Sequence, residues 1–299
     1  MPHVKANGLD VYYESHGDPD AEPILLIMGL GAQMTRWSPD FIGKLTGAGH
    51  RVIAYDNRDV GLSGKLDAAG APDMAAVLGA LRDGKAPPVA YTLAEMAADA
   101  AGLLDALGIE RAHIVGASMG GMIAQLVAAD YPEKTLSLTS IMSSTGNPDL
   151  PRATPEAMAR LNTPAPDPTK DLEGFLASAV AGAKVMASKY PPDEAQVRAQ
   201  SLADFKRSYY PVGFQRQYVG ILASPDRRPK LRGITAPTVV IHGDADPLVP
   251  LAGGRDTAEN IPGAELRIVP GVGHEMPAAV QDAFIAGILA AVARAKVAA

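Results

Sequence analysis

Gly116-Ala117-Ser118-Met119-Gly120 follows directly on the apolar run Ala112-His113-Ile114-Val115 and opens a helix-like run from Met119 to about Ala129. A serine with glycine two residues to either side, set between a strand and a helix, reads as a nucleophile elbow. The sharp turn forces the serine backbone into a disfavoured conformation, and only hydrogen fits as a side chain at the two flanking positions. Gly116 and Gly120 fill them, and Gly121 adds room behind. The helix N-terminus aims free N–H groups and its dipole at the serine, toward any negative charge that develops there. The pattern alone recurs by chance; the strand before it and the helix after it make it specific.

Outward from the elbow, short apolar runs alternate with longer amphipathic ones, as in an α/β domain with a mostly parallel sheet. Val4 to Ala6 and Leu9 to Glu14 form a hairpin through Asn7-Gly8, a two-residue turn signal. Ile24 to Met28, Arg51 to Tyr55, Ala112 to Val115, Leu136 to Met142, Thr238 to His242 and Glu265 to Val269 read as buried strands. Helices are expected over Pro39 to Ala48, Leu93 to Leu107 and Pro277 to Ala293. Between Thr145 and Ala236 the strand rhythm stops. That stretch is rich in proline and then helical around Leu172 to Lys189 and Asp193 to Tyr209. The expected organisation is therefore a core of residues 1–145 and 236–299, with residues 146–235 inserted as a helical cap.

Composition narrows the function. The 299 residues carry 33 acidic and 27 basic side chains, a net charge of -6, which disfavours nucleic acid and anionic membranes as partners. With no cysteine, thiol catalysis, disulfides and cysteine-held metals are excluded. The N-terminus lacks an apolar signal core, and the strongest apolar run, Ile24 to Met28, is too short to span a bilayer. A cytoplasmic protein, monomeric or homodimeric, is the expectation.

A serine hydroxyl needs an adjacent base, itself oriented by an acid. Of the 6 histidines, His274 follows the last strand on the glycine-lined loop Pro270-Gly271-Val272-Gly273. Ligand chemistry gathers at such strand C-terminal ends in open parallel sheets, so His274 is the candidate base. The loop His242-Gly243-Asp244-Ala245-Asp246-Pro247 offers two acids. Asp246 is preferred, because Asp244 stands where it can bond local turn amides instead. Two backbone N–H groups are needed for an oxyanion. Met119 supplies one and the Gly29-Leu30-Gly31 loop the other, with Leu30 the best placed.

Leu26-Ile27-Met28-Gly29-Leu30-Gly31, Tyr55-Asp56-Asn57-Arg58-Asp59-Val60-Gly61-Leu62-Ser63 and the elbow together resemble the α/β-hydrolase superfamily over nearly the whole chain. Within it the resemblance is to bacterial carboxylesterases of the aclacinomycin methylesterase type. It implies an eight-stranded, mostly parallel sheet with a helical cap and a triad of Ser118, Asp246 and His274, with oxyanion donors at Leu30 and Met119. It also implies a small-molecule ester substrate and no metal or organic cofactor. Many relatives carry His-Gly where this chain has Met28-Gly29, which leaves the polar floor of the pocket open. Asp56, Asn57 and Arg58 are expected to brace loops beside the site rather than to react.

Trp37, Met186, Tyr209, Tyr210, Phe214 and Tyr218 are candidates to line a substrate pocket, each with the alternative of simply packing the interior. The same machinery serves lactonases, C–C bond hydrolases and cofactor-free haloperoxidases or perhydrolases, and a slow-turnover ligand receptor is a further alternative. Epoxide hydrolases and haloalkane dehalogenases are disfavoured, since they would place Asp at position 118.

Overall fold

Each short apolar run becomes a strand. In the computed structural model, which describes residues 2–298, these are β1 (His3–Ala6), β2 (Leu9–His16), β3 (Pro23–Ile27), β4 (Arg51–Tyr55), β5 (Ala112–Ala117), β6 (Thr135–Ile141), β7 (Thr238–Gly243) and β8 (Glu265–Val269). They form one 8-stranded sheet in the order β1-β2-β4-β3-β5-β6-β7-β8. Pairing is antiparallel for β1 with β2 and β2 with β4, and parallel for the other pairs. The β1–β2 turn has Asn7 at φ 47° and Gly8 at φ 81°, the double positive φ that a tight hairpin demands.

The central strands are apolar on both faces because helices cover both faces. Helices α1 (Pro39–Gly47), α2 (Met74–Arg82), α3 (Leu93–Ala106) and α4 (Met119–Asp130) precede β6. Side chains alternate across β3: Leu25 and Ile27 pack with Leu103, Leu104, Ile123 and Val127 of α3 and α4. Ile24 and Leu26 join Phe41 and Leu45 of α1 on the opposite face, together with Phe284 and Ile288. Helix α3 starts sharply at a capping box, with Thr92 and Glu95 satisfying each other's backbone amides.

Between β6 and β7 the chain is helical: α5 (Pro155–Asn162), α6 (Leu172–Met186), α7 (Glu194–Arg207), α8 (Pro211–Ala223) and α9 (Arg228–Leu231). Two more, α10 (Leu251–Asn260) and α11 (Gln281–Ala298), flank β8 in sequence. Sequence periodicity does not disclose α2, α5, α8 or α10. In α5 and α8 a proline occupies the first turn, where its missing N–H costs nothing, so residues that read as loop punctuation open helices instead.

The apolar character of the C-terminal helix also exceeds the sequence expectation. Ala278–Val297 is long and apolar enough to cross a membrane by length and composition alone. Here Phe284, Ile285, Ile288, Ala291 and Val292 are buried, in the manner of a core helix.

Candidate active site

The elbow forms as its glycines require. Ser118 sits at φ 56° and ψ -121°, between β5 and α4. A Cβ on Gly116 would fall 2.0 Å from the Gly120 carbonyl oxygen, and one on Gly120 would fall 2.0 Å from that of Ile27. Such a backbone strain costs about 1–3 kcal/mol and persists only where its surroundings over-determine it. They do so here: the Ser118 N–H donates to Ile141 O at 2.9 Å, and the Ser143 hydroxyl donates to Ser118 O at 2.9 Å.

Ser118 Oγ lies 3.0 Å from His274 Nε2, and His274 Nδ1 lies 2.8 Å from Asp246 Oδ2. The other carboxylate oxygen of Asp246 accepts from the Leu248 and Val249 amides at 2.9 and 2.8 Å. Asp246 is buried, so both oxygens are held and its negative charge faces the imidazole. Asp244, the alternative acid, instead accepts from the Gly271 amide at 2.6 Å and ties the two loops together. His242 supports the same loop through Nε2, which donates to Val249 O at 2.7 Å. Its burial pushes its pKa below the ordinary histidine value, which favours the neutral ring beside Asp246 and His274.

The loop after β3 brings Leu30 to the mouth of the elbow. Asn57 Nδ2 donates to Met28 O at 2.8 Å, and the Gly31 amide donates to Gln217 Oε1 at 2.8 Å. Among the described residues the Leu30 amide donates to no backbone carbonyl. Met119 is the first residue of α4, where helix N–H groups lack intrahelical partners. Asp56 accepts from the Met34 and Leu62 amides, and Arg58 pairs with buried Asp99 at 2.6 Å. The bracing role expected of Asp56, Asn57 and Arg58 is what these contacts describe.

A cavity of about 820 Å³ opens above Ser118 and His274. Leu30, Met119, Tyr209, Tyr210, Phe214 and Tyr218 line it, together with Met28, Met122 and Met142. Met28 therefore presents an apolar side chain to the cavity. Two of the pocket candidates are placed elsewhere. Trp37 is 2% exposed and packs in the core against Phe41, ring centroids 5.1 Å apart, because the short 3-10 turn Met34–Arg36 delivers it into the apolar cluster on the α1 face of the sheet. Met186 lies outside the cavity lining; it closes α6, and its carbonyl accepts from the His274 amide at 2.8 Å, fixing His274 by its backbone.

Phe175 and Phe205 also line the cavity and meet Tyr209 edge-on at 6.3 and 5.6 Å. Sequence reasoning missed both. A signal was present: of the chain's 5 phenylalanines, Phe175, Phe205 and Phe214 fall in the stretch between β6 and β7. Among the described residues, the grouping able to share a metal ion, Glu22, His50 and His113, lies away from this cavity.

Sheet order, elbow and cavity define an α/β hydrolase fold. Residues 22–277 match the family described by that fold, and the chain belongs to it. It is similar to the rhodomycin D methylesterases of Streptomyces sp. (strain C5), 30% identical over 96% of both chains, and of Streptomyces peucetius, 29% identical over 94% of both. Among solved structures, the enol-lactonase from Burkholderia xenovorans LB400 superposes with a TM-score of 0.71 at 23% identity, covering 98% of this chain and 100% of that one.

Proposed function

We propose that this chain is a serine carboxylic-ester hydrolase that works through an acyl-enzyme on a small-molecule ester with a bulky apolar part. The observation that carries the reading is the continuous Ser118–His274–Asp246 hydrogen-bond chain at the base of an apolar cavity. The likeness to two methylesterases supports an ester whose alcohol is small. Ser118 Oγ attacks the ester carbonyl as its proton passes to His274 Nε2. Asp246 holds the Nδ1–H tautomer and stabilises the imidazolium that forms. The carbonyl oxygen, now an anion, accepts from the Leu30 and Met119 amides, each donor worth about 3 kcal/mol in such sites. His274 then gives its proton to the departing alkoxide, releasing the alcohol. Water attacks the acyl-serine with His274 again as base, and the acid leaves with Ser118 restored. Every proton moved is carried by His274, so the scheme calls on no cofactor.

Residues 146–235 act in this reading as the lid that selects the substrate, with Phe175, Phe205, Tyr209 and Phe214 as its apolar wall. The test is a panel of p-nitrophenyl esters of rising chain length, methyl esters, lactones and a vinylogous diketone, run on wild type and Ser118→Ala. Sustained turnover of esters by wild type, with loss of at least about 10³-fold in Ser118→Ala, is expected. Equal rates in the two proteins, or a single burst with no further release, would overturn it.

A further inference from the structure

The sheet has a second polar cluster at the end remote from Ser118. Glu22 precedes β3, His50 precedes β4, and His113 is the second residue of β5. These three strands are neighbours, so their N-terminal ends converge on one spot. His113 is five strand residues below the elbow, about 16 Å at roughly 3.3 Å per residue. The register between β5 and β6 shifts at Ala112/His113, an irregularity of the kind that re-aims a side chain.

One ligand atom from each of Glu22, His50 and His113 lies within 4.8 Å of the other two. The rings are buried, His50 at 5% and His113 at 0% exposure, while the Glu22 side chain is 34% exposed and leaves an approach from solvent. Each imidazole is oriented through its Nδ1. His50 Nδ1 stands 3.2 Å from the Glu22 carbonyl, which can only accept, so that nitrogen carries the proton and Nε2 keeps its lone pair. His113 Nδ1 stands 2.8 Å from Ser137 Oγ, which turns its Nε2 toward Glu22. Outer partners of this type fix tautomer and direction in histidine metal sites.

The tightest contact of the cluster joins the buried imidazole of His113 to the Glu22 carboxylate. His113 Nε2 and Glu22 Oε2 are 2.9 Å apart, yet both remain buried polar atoms with no hydrogen-bond partner. A ring nitrogen and a carboxylate oxygen this close, with a second imidazole within 4.8 Å, suit a cation, whose ligands at about 2.0–2.2 Å stand a little over 3 Å apart in a tetrahedron.

We propose that Glu22, His50 and His113 form a binding site for one divalent cation of the zinc class, with water in the remaining position. Two imidazoles and a carboxylate select zinc or cobalt over calcium and magnesium, which take oxygen ligands. The site clamps the N-terminal ends of β3, β4 and β5 and takes no part in the chemistry at Ser118. Lys296, whose Nζ is 3.6 Å from Glu22 Oε2, competes with the cation for that carboxylate.

The test uses the full chain freed of metal with a chelator and titrated with CoCl2, followed by its visible absorption, then with ZnCl2 by calorimetry. One equivalent of Co²⁺ with a spectrum of nitrogen and oxygen ligation, displaced by Zn²⁺, is expected. Glu22→Gln should weaken Zn²⁺ binding by more than about 10-fold. Lys296→Met should tighten it about fivefold by removing a nearby positive charge, a gain that misfolding cannot mimic. Both variants should keep wild-type esterase rates, which confirms that they fold. The proposal is overturned if wild type shows no saturable binding, or if Glu22→Gln binds as wild type does. It is equally overturned if His274→Ala alone abolishes binding, since the metal then sits on the Ser118 site.

Discussion

Gln217 of α8 holds the Gly31 amide on its Oε1 at 2.8 Å while its Nε2 donates to Arg58 O at 2.8 Å. One buried side chain from the helical insertion thus sets the position of the loop that presents Leu30. Gln217→Ala would leave an amide and a carbonyl unpaired, a loss of about 2–4 kcal/mol in stability. Because the loop next to Leu30 is released, kcat should fall by more than KM rises. Thermal unfolding and ester kinetics on the same preparation check both halves; unchanged kcat would separate Gln217 from the function of the Leu30 loop.

The two acids of the β7 loop should behave very differently. Asp246→Asn keeps the shape but favours the wrong His274 tautomer, and kcat should fall by about 10⁴-fold, as such substitutions do elsewhere. Asp244→Asn disturbs only the bond to the Gly271 amide, so kcat should stay within about tenfold of wild type. Comparable losses in the two variants would mean that the acid role is shared.

Arg216 and Asp59 form a two-pronged ion pair at 2.8 and 2.9 Å, with side chains 2% and 0% exposed. Arg216→Met strands a buried carboxylate and should cost about 3–5 kcal/mol, measured by urea unfolding. Asp59→Asn combined with Arg216→Met should recover part of that. Burial raises the Asp59 pKa, but Arg216, the Leu66 amide and the Tyr91 hydroxyl together pull it further down, below the ordinary carboxylate value. A lowered carboxyl pKa contributes stability above the unfolded value of about 3.9 and loses it as pH falls through the folded value. The anchor of α8 should therefore hold undiminished at pH 5 and weaken only below about pH 4. Loss of the wild-type advantage over the double variant already between pH 6 and 5 would contradict this.

Trp37 and Phe214 should separate stability from selectivity. Trp37→Ala opens a cavity in the core and should cost about 3–5 kcal/mol, with little change in the ranking of ester substrates. Phe214→Ala enlarges the substrate cavity and should shift KM toward bulkier acyl groups at a smaller cost in stability. A KM ranking altered by Trp37→Ala would return that side chain to the pocket.

Glu275, beside His274, reports on its own burial. Its pKa is raised, first by burial and then by the nearby Asp246 charge. A raised carboxyl pKa makes ionisation costly to the fold, so stability declines as pH rises through the unfolded value of about 4.3 and levels off above the folded one. Glu275→Gln should unfold at the same temperature as wild type near pH 4 and at a higher one at pH 7. A difference independent of pH would assign the effect to packing.

Much of this molecule is legible along the chain because its signals are local. The elbow at Ser118 needs glycines at fixed offsets, and the Asn7-Gly8 turn needs two positive φ angles; both requirements act within a few residues. Fully buried strands show as unbroken apolar runs, so β3, β5 and β7 can be read directly. The order of Ser118, Asp246 and His274 follows from where strands end. Helices α5 and α8 escaped because Pro155 and Pro211 signal helix start and loop alike, and periodicity cannot separate the two.

The class of fold, the candidate nucleophile Ser118 and the candidates for its partners can be read along the chain, since each rests on short-range backbone geometry. It takes the packed fold to show which of Asp244 and Asp246 faces His274, that Trp37 turns into the core, and that Met186 acts through its carbonyl. It alone assembled the wall of Phe175, Phe205 and Tyr209, and the meeting of Glu22, His50 and His113. Those outcomes depend on side-chain direction and on contacts between residues far apart in the chain. A sequence records what each residue is, but the packing of distant elements decides what it touches.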